Sequence, residues 1–498
     1  MNEQDAAQPV PAGLPVALLS LGCPKNLVDS ENMSGIMMEA GCHMVADPAD
    51  AKVIVVNTCG FIESAVQEAI DTILNMADYK NEGGCDFLIV TGCLSQRYHR
   101  DMADSLPEVD AILGTRSYAE IADVIRCLYE RKNGGAFHRL ADQTAGSNLG
   151  DGTGNLSAIR SIPVDHEQPA AGPLVRRSAD SAGVLAHLRT DHPVSTGAYA
   201  YLKIAEGCDN RCAYCAIPGI RGRLRSRAIE VLVEEAGNLC RRGASELILV
   251  GQDTTAYGRD LYGERRLSEL LRRLAALEAV EQIRFLYAYA DGMTDELLDV
   301  MASKPKILPY IDLPVQHASD AVLKRMRRTD TEAGLRKTFA RIRSALPHAI
   351  FRTTVMVGFP GETEADFDIL KQFVSDLRFH HLGCFVFSPE TGTAAYKMPD
   401  QILPEVAEAR YNSIMSIQQP IALAHHRALL NQVRTVLIEG VSEDGIFYTG
   451  RIPEQAPDVD TKTYVASEKE LVIGKRYPIR IVDAAEYEIT GVPIELTK

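Results

Sequence analysis

The sequence feature that most constrains this chain is a loop in which three cysteines follow one another at spacings of four and three residues. Cys208, Cys212 and Cys215 stand in one short polar stretch, and Tyr214 directly precedes the last of them. Three thiolates are one too few for a closed tetrahedral zinc site. They are the right number to hold three corners of a [4Fe-4S] cubane and to leave its fourth iron open. The alternatives are a zinc knuckle that borrows a fourth ligand from elsewhere, or three thiols that lie close by chance.

Composition narrows the class of protein. The chain has 498 residues, enough for about three domains. Its longest apolar runs are strand-sized, so we expect no membrane segment, and an acidic N-terminus argues against a secretory signal and for a cytoplasmic protein. Eleven cysteines in a reducing compartment indicate metal or redox chemistry rather than disulfides. A net charge of -15 argues against a broad nucleic-acid surface.

A second set of cysteines lies in the first part of the chain. From 16 to 132, apolar runs alternate with amphipathic stretches, which predicts βαβ units and a doubly wound parallel sheet. Cys23, Cys59 and Cys93 each stand beside a glycine at the end of one run. Ligands of such sheets lie outside the carboxyl ends of the strands, so the three cysteines can meet at one metal centre. The alternative is that glycine and a small residue end these strands for turn reasons alone.

The remaining sequence divides into four regions. Residues 1–15 are predicted to be a flexible tail, and 133–197, rich in Gly, Ser and Pro with Phe137 as the only aromatic, a flexible linker. In 198–427 six strand-like runs separated by helical patterns predict a partial (β/α)6 barrel. Short strands in 428–498 predict a small antiparallel β-barrel, which carries eight basic and twelve acidic residues.

Polar residues follow several of the predicted barrel strands. Gln252 and Asp253 follow the second, Gln316 the fourth and Glu362 the fifth, while the three-cysteine loop follows the first. Active sites of barrels lie on the loops after the strands, so these side chains are candidates to bind a ligand at the same mouth. Helix capping or strand ending explains them equally well.

Four arginines alternate just after the three-cysteine loop, at positions 221, 223, 225 and 227. A guanidinium binds a carboxylate through two parallel hydrogen bonds, so these side chains are candidates to hold a carboxylate of a cofactor or substrate. We expect at least two of them to form a solvated charged edge instead.

With both cysteine sets placed, the chain resembles the methylthiotransferases, a family of radical S-adenosylmethionine (SAM) enzymes. That family joins an N-terminal cluster domain, a radical-SAM partial barrel and a C-terminal TRAM barrel. The stretch Leu-Ser-Leu-Gly-Cys-Pro-Lys-Asn-Leu-Val-Asp-Ser-Glu at 19–31 is similar to the RimO subfamily, which modifies an aspartate of ribosomal protein S-twelve. The tRNA-modifying relatives typically have Tyr-Gly-Cys-Gln-Met-Asn there. Further similar stretches are 205–227, 312–319, 357–363 and 456–460. The linker is longer than is usual for the family.

The resemblance implies two [4Fe-4S] clusters and SAM as cofactors. Cys208, Cys212 and Cys215 would ligate the cluster that binds SAM. Cys23, Cys59 and Cys93 would ligate a second cluster that presents sulfur. The residues that would contact SAM are Tyr214, Gln252, Asp253, Gln316 and Glu362.

The implied reaction converts an aspartate of S-twelve to β-methylthio-aspartate, with one SAM as radical source and a second as methyl donor. The implied partners are S-twelve, an electron donor and a sulfur donor. Methylthiolation of a tRNA adenosine is the alternative activity, although an acidic C-terminal barrel does not suit binding of phosphates. A non-catalytic iron-sulfur sensor is the alternative from another class of protein.

Overall fold

A computed structural model of the protein describes residues 10–133, 173–176, 188–194 and 197–494. These residues form a parallel sheet covered by helices, a partial barrel and a small closed barrel, in chain order, which confirms the predicted fold class. None of the described helices is both long and apolar enough to cross a membrane.

The first domain is a six-stranded parallel sheet with helices on both faces. Its elements are β1 (Pro15–Ser20), α1 (Pro24–Glu39), β2 (His43–Val45), β3 (Val53–Thr58), α2 (Glu63–Asn81), β4 (Phe87–Gly92), α3 (Cys93–Ser105), β5 (Ala111–Gly114), α4 (Ile121–Lys132) and β6 (Leu174–Arg176). The strand order is β2-β1-β3-β4-β5-β6. Helices α1 and α4 pack on one face and α2 and α3 on the other. Strands β3 and β4 are buried throughout because both faces are covered.

Parts of the predicted linker and tail are packed rather than flexible. Within 133–197, Leu174–Arg176 pairs with β5 as the sixth strand, and His192 is fully buried. Within 1–15, Val10 belongs to the core of the first domain. The prediction of flexibility was wrong at these residues, because short apolar segments in a polar context complete a sheet edge and a domain junction. Outside the described residues lie 1–9, 134–172, 177–187, 195–196 and 495–498.

The second domain is the predicted six-stranded partial barrel. Its strands are β7 (Tyr199–Lys203), β8 (Ala205–Glu206), β9 (Arg225–Ser226), β10 (Glu246–Val250), β11 (Gln282–Phe285), β12 (Tyr310–Asp312), β13 (Ile350–Val357) and β14 (His381–Val386). The β8–β9 pair is a separate two-stranded ribbon, and the other six strands form sheets ordered β11-β10-β7 and β12-β13-β14. A hydrogen bond of 2.9 Å from the N–H of Leu308 to the carbonyl of Ile283 connects the two sheets.

Helices cover the outside of this barrel. They are α5 (Ile217–Arg221), α6 (Ile229–Arg241), α7 (Leu267–Ala275), α8 (Asp295–Ser303), α9 (Asp320–Arg325), α10 (Glu332–Ala345), α11 (Glu364–Leu377) and α12 (Pro404–Arg427). Except for α5, their inward faces supply Leu, Ile and Phe side chains to one continuous core with the strands. Short 3-10 turns at Pro48–Asp50, Tyr118–Glu120, Thr254–Ala256, Ala290–Gly292 and Ala395–Lys397 complete the helical elements of the described chain.

The third domain is a closed five-stranded barrel at the amino ends of the second domain's strands. It comprises β15 (Val433–Val441), β16 (Tyr448–Arg451), β17 (Lys462–Val465), β18 (Arg476–Ala484) and β19 (Glu488–Pro493). The β17–β19 pair is parallel and the other pairs are antiparallel. The hydroxyl of Tyr201 donates to Asp458 at 2.8 Å, and that of Tyr310 donates to Asp460 at 2.5 Å. These contacts cover the amino end of the barrel, so the carboxyl end is left for a site.

Candidate metal centres

The three cysteines of the first domain, which we call the rim set (Cys23, Cys59 and Cys93), lie at the carboxyl ends of three neighbouring strands. Cys23 caps the start of α1 and Cys93 is the first residue of α3, where the helix dipole favours a thiolate. The glycine before Cys23 is needed because Cys59 lies close to its backbone. Gly22 has φ +88°, and a Cβ on it would lie 2.7 Å from the Cβ of Cys59.

Cys93 is buried and the other two rim cysteines are half-buried, and the three thiols influence one another electrostatically. Burial, opposed by Arg221 and reinforced by the other two thiols, raises the pKa of Cys93 to about 12. Burial also raises the pKa of Cys59. At Cys23 the charges of Lys25 and Arg221 outweigh burial and lower the pKa. The structure therefore brings the three predicted cysteines together at one place.

Arg221 connects the rim set to the barrel. It lies at the end of α5, and its guanidinium donates to the Sγ of Cys93 at 3.5 Å, to Asp29 at 3.1 Å and to Glu206 at 2.9 Å. Lys203 binds the same two carboxylates. Although burial acts in the opposite direction, the two cations lower the pKa of Glu206 to about 2. This buried network ties α1 to the first strand of the barrel.

The second group, which we call the loop set (Cys208, Cys212 and Cys215), lies between β8 and α5. Burial raises the pKa of Cys208 to about 11 and that of Cys215 to about 12. The backbone N–H of Asn210 donates to the Sγ of Cys208 at 3.4 Å, and the hydroxyl of Tyr289 lies 3.8 Å from the Sγ of Cys212. Donors of the protein are therefore directed at sulfur in this set too.

Both sets fit an iron-sulfur cubane better than a single metal ion. No three Cys, His, Asp or Glu side chains of the described residues converge closely enough to hold one ion. Zinc, with Zn–S bonds of about 2.3 Å, would need sulfurs about 4 Å apart. A cubane spreads its ligands around a larger body, and donors to sulfur such as Asn210 and Arg221 stabilise and tune it. The zinc alternative therefore does not fit this geometry.

One segment after β11 reaches both sets. Tyr289 contacts Cys212 of the loop set, and the ring centroid of Tyr287 lies 3.4 Å from the Nζ of Lys25, next to Cys23. Tyr287 has φ +63°, which is rare for a residue with a Cβ, and its N–H donates to Asp312 at 2.8 Å. One short segment of the barrel therefore contacts residues at both cysteine sets.

Among the predicted SAM contacts, Tyr214 lies closest to the cysteines. Burial and the neighbouring Cys212 raise its pKa well above the ordinary value. Asp253 accepts a hydrogen bond of 2.8 Å from the side chain of Asn210 and caps the turn that contains Ala256. Gln252 donates to Glu206 at 3.0 Å.

The other two predicted contacts brace their own loops. Glu362 accepts hydrogen bonds from the N–H groups of Gly358 and Phe359, the latter at 3.0 Å, and its Oε1 is buried without a hydrogen bond. Gln316 has φ +68° and forms an isolated bridge with Val355 of β13. Contact of SAM with these five residues stays a prediction.

A cavity of about 520 Å³ opens beside the loop set. It is lined by Cys208, Asp209, Asn210, Arg223, Leu224, Arg225, Asp253, Ala256, Arg259 and Asp260. The lining carries both acidic and basic groups, which suits a ligand with charges of both signs.

Sequence reasoning missed several residues that the structure places at the sets. Lys25 and Asp29 lie within the stretch 19–31, but nothing in their spacing marks them. Of the four alternating arginines, Arg221 and Arg227 are buried and paired, while Arg223 is exposed and binds Asp209. The alternating pattern of the arginines does not indicate which of them are buried and which are exposed.

Three families match successive parts of the chain. Residues 15–114 match uncharacterized protein family UPF0004, 202–374 match the radical SAM superfamily, and 432–494 match the TRAM domain. A solved structure of the radical S-adenosylmethionine methyltransferase TsrM from Kitasatospora setae has a similar fold, with a TM-score of 0.51, 11% identity and coverage of 74% of this chain and 72% of that one. The fold and the site therefore define a radical SAM enzyme with a second cysteine set.

Curated relatives narrow this class to one family. The chain is 43% identical over 477 residues to the ribosomal protein uS12 methylthiotransferase RimO of Acetivibrio thermocellus, covering 96% of this chain and 97% of the relative. It is 43% identical over 478 residues to that of Lachnoclostridium phytofermentans, covering 96% and 99%. The chain belongs to this RimO family. Membership confirms the predicted transferase class and the cofactors, two [4Fe-4S] clusters and SAM.

Proposed function

We propose that the protein is a methylthiotransferase that converts an aspartate of ribosomal protein uS12, the S-twelve protein of the small subunit, to β-methylthio-aspartate. The relatives named for this activity match nearly the whole chain. The reaction would take place in the cytoplasm, with an electron donor and a sulfur donor as further partners.

The observation that carries the proposal is the closeness of the two cysteine sets. Helix α5 begins two residues after Cys215 and ends at Arg221, which donates to Cys93. Its five residues span about 7.5 Å. A substrate carbon that loses hydrogen at one centre and gains sulfur at the other must reach both without leaving the protein, and this spacing permits that.

In this proposal the loop set holds the cluster that binds SAM, and the rim set holds the cluster that presents sulfur. When bound, these groups supply radical chemistry and sulfur, which no side chain of the chain can provide. The chain itself binds and orients: Arg221 fixes Cys93 against the barrel, and Tyr287 and Tyr289 contact Lys25 and Cys212 beside the two sets.

The test is the mass of candidate substrates after reaction. Anaerobically reconstituted and reduced enzyme is incubated with SAM and either uS12 or tRNA. We expect uS12 alone to gain a methylthio group in place of hydrogen. Methylthiolation of tRNA alone would overturn the proposal. An iron-sulfur sensor would release no 5′-deoxyadenosine from SAM, which the same reaction mixture reports.

A further inference from the structure

Lys25 is an exception among the buried cations of the described chain. Lys25 is only 8% exposed, yet it takes part in none of the ion pairs found in the described residues. The other buried lysine and arginines of these regions all have a carboxylate within 4 Å. They are Lys203, Arg221, Arg227, Arg284, Arg328, Arg410 and Arg451. A buried charge without a neutralising carboxylate is costly, so the exception leaves room for an anion that no carboxylate of the described residues supplies.

The surroundings of Lys25 place it between the two cysteine sets. Its Nζ lies 3.4 Å from the centroid of the Tyr287 ring, on the segment whose Tyr289 contacts Cys212. It also interacts electrostatically with Cys23, two residues before it. The aromatic face and the hydroxyl of Tyr287 hold the ammonium in place but do not neutralise it.

We propose that Lys25 binds the carboxylate of the substrate aspartate and so selects a carboxylate-bearing side chain at the site. The inference rests on the proposed function, because it takes uS12 as the substrate. An aspartate whose β-carbon lies between the two sets carries its carboxylate within one bond of that carbon. A cation at this place therefore meets the charge that the substrate brings.

A purely structural alternative is that Lys25 neutralises the thiolates of the rim set. Arg221 already donates to Cys93 from the barrel side and is itself balanced by Asp29 and Glu206. Lys25 has no such balancing carboxylate among the described residues. In our proposal, removal of the ammonium changes the discrimination between substrates. In the alternative, it changes the metal centre.

The experiment is a double-mutant cycle across the enzyme and its substrate. Reconstituted holoenzyme with SAM and no reductant is titrated calorimetrically with uS12 or with uS12 whose target aspartate is replaced by asparagine. Wild-type enzyme should bind the aspartate form about 10²-fold more tightly. In Lys25→Met, which keeps the length of the side chain, that ratio should fall to within about threefold, while Lys25→Arg should keep most of it.

Controls separate this effect from loss of the metal centre. Lys80→Met removes a lysine that pairs with Asp110 at 2.8 Å elsewhere in the same domain, and it should leave the ratio unchanged. Iron content and the spectrum of the second cluster are recorded for every variant.

Several results would overturn the inference. Equal binding of both substrate forms by wild-type enzyme would do so without any variant. An unchanged ratio in Lys25→Met would also do so, whatever the iron content of the variant. If wild-type enzyme methylthiolates uS12 and either of these results is found, the inference fails but the proposed function stands. If it does not modify uS12, the proposed function fails and the inference with it.

Discussion

The loop set and the rim set offer the same number of thiols but are assembled in different ways. The loop set lies within eight consecutive residues, 208–215, so local chain geometry places its sulfurs. The rim set comes from three separate strand ends and exists only when the sheet is formed. One centre is therefore local, and the other depends on long-range packing.

The rim set therefore needs supports that the loop set does not. Three contacts connect the barrel to α1 and α3, the helices that start at rim cysteines. Arg221 binds Asp29 of α1, Arg97 of α3 binds Glu390 after β14, and His192 lies between Glu31 of α1 and Glu235 of α6. The stability of the second centre is thus coupled to docking of the two domains.

The largest expected difference between the sets is in the reaction itself. Cys212→Ala should reduce cleavage of SAM to background, because the cluster that binds SAM loses a ligand. Cys59→Ala should leave SAM cleavage intact and abolish methylthio transfer, because only the sulfur-presenting centre is damaged. Both products, 5′-deoxyadenosine and modified uS12, are measured in the same reaction.

The half-buried Cys240 belongs to neither set, and Cys240→Ala serves as the control that keeps both activities. Loss of SAM cleavage in Cys59→Ala, with the first cluster spectroscopically intact, would contradict the division of roles between the sets.

Removal of Arg221 should cause the largest change in stability. Arg221→Met leaves Asp29 and Glu206 with Lys203 alone, so we expect a loss of about 3–5 kcal/mol in the free energy of unfolding. It also removes the donor to Cys93, so the spectrum of the second cluster should change while that of the first does not. Urea unfolding followed by circular dichroism measures the first effect.

The matched control is Arg223→Met, two residues further along. The side chain of Arg223 is 85% exposed and pairs with Asp209, so its removal should leave the free energy of unfolding nearly unchanged. Similar losses in the two variants would show that burial of the network does not matter.

The sequence could predict the two cysteine sets but not the contacts that support the rim set. Both cysteine sets followed from spacing and from strand ends, because those signals are local or repeat along the chain. The contact of Lys25 with Tyr287 joins residues far apart in sequence, and the left-handed backbone of Tyr287 has no local signature such as glycine. Strand β6 is three residues long and lies far along the chain from β5, so no periodicity revealed it.

The predicted ligand contacts show a second limit. The sequence predicts Asp253 and Glu362 as ligand contacts because they follow barrel strands, and the structure shows both accepting backbone hydrogen bonds that brace their loops. Residue type and position after a strand are the same for a capping carboxylate and a ligand-binding one. Only the partners of the side chain distinguish them.

The contacts of His192 with Glu31 and Glu235 should make the free energy of unfolding depend on pH. Burial opposes protonation of His192, but Glu235 and Glu31 outweigh it and raise its pKa to about 9 from an ordinary 6.5. A raised pKa in the folded state stabilises the protein fully below about pH 6.5, and this contribution is lost as the pH rises towards 9. The advantage of wild type over His192→Gln should shrink by about 3 kcal/mol across this range.

Unfolding of both proteins at pH 6, 7.5 and 9 measures that difference, and the variant subtracts the titration of all other groups. A difference that is independent of pH would show that His192 is neutral in the folded protein and supports the junction by packing alone.

The smallest expected effect concerns Arg97, one turn into the helix that begins at Cys93. Its guanidinium binds Glu390 at 2.9 Å and the carbonyls of Gly60 at 3.0 Å and Thr391 at 2.8 Å. Arg97→Gln should cost about 1 kcal/mol of stability, because each hydrogen bond contributes little net free energy. The rim set would then be held less firmly against the barrel, so more SAM should be cleaved for each methylthio group transferred.

The ratio of 5′-deoxyadenosine to modified uS12 measures this uncoupling, and we expect it to rise several-fold in Arg97→Gln. Arg100→Gln changes an exposed arginine of the same helix and should leave the ratio at the wild-type value. If Arg97→Gln lowers stability but leaves the ratio unchanged, the junction serves folding alone. Accurate placement of the rim set would then depend on the Arg221 network rather than on every contact between the two domains.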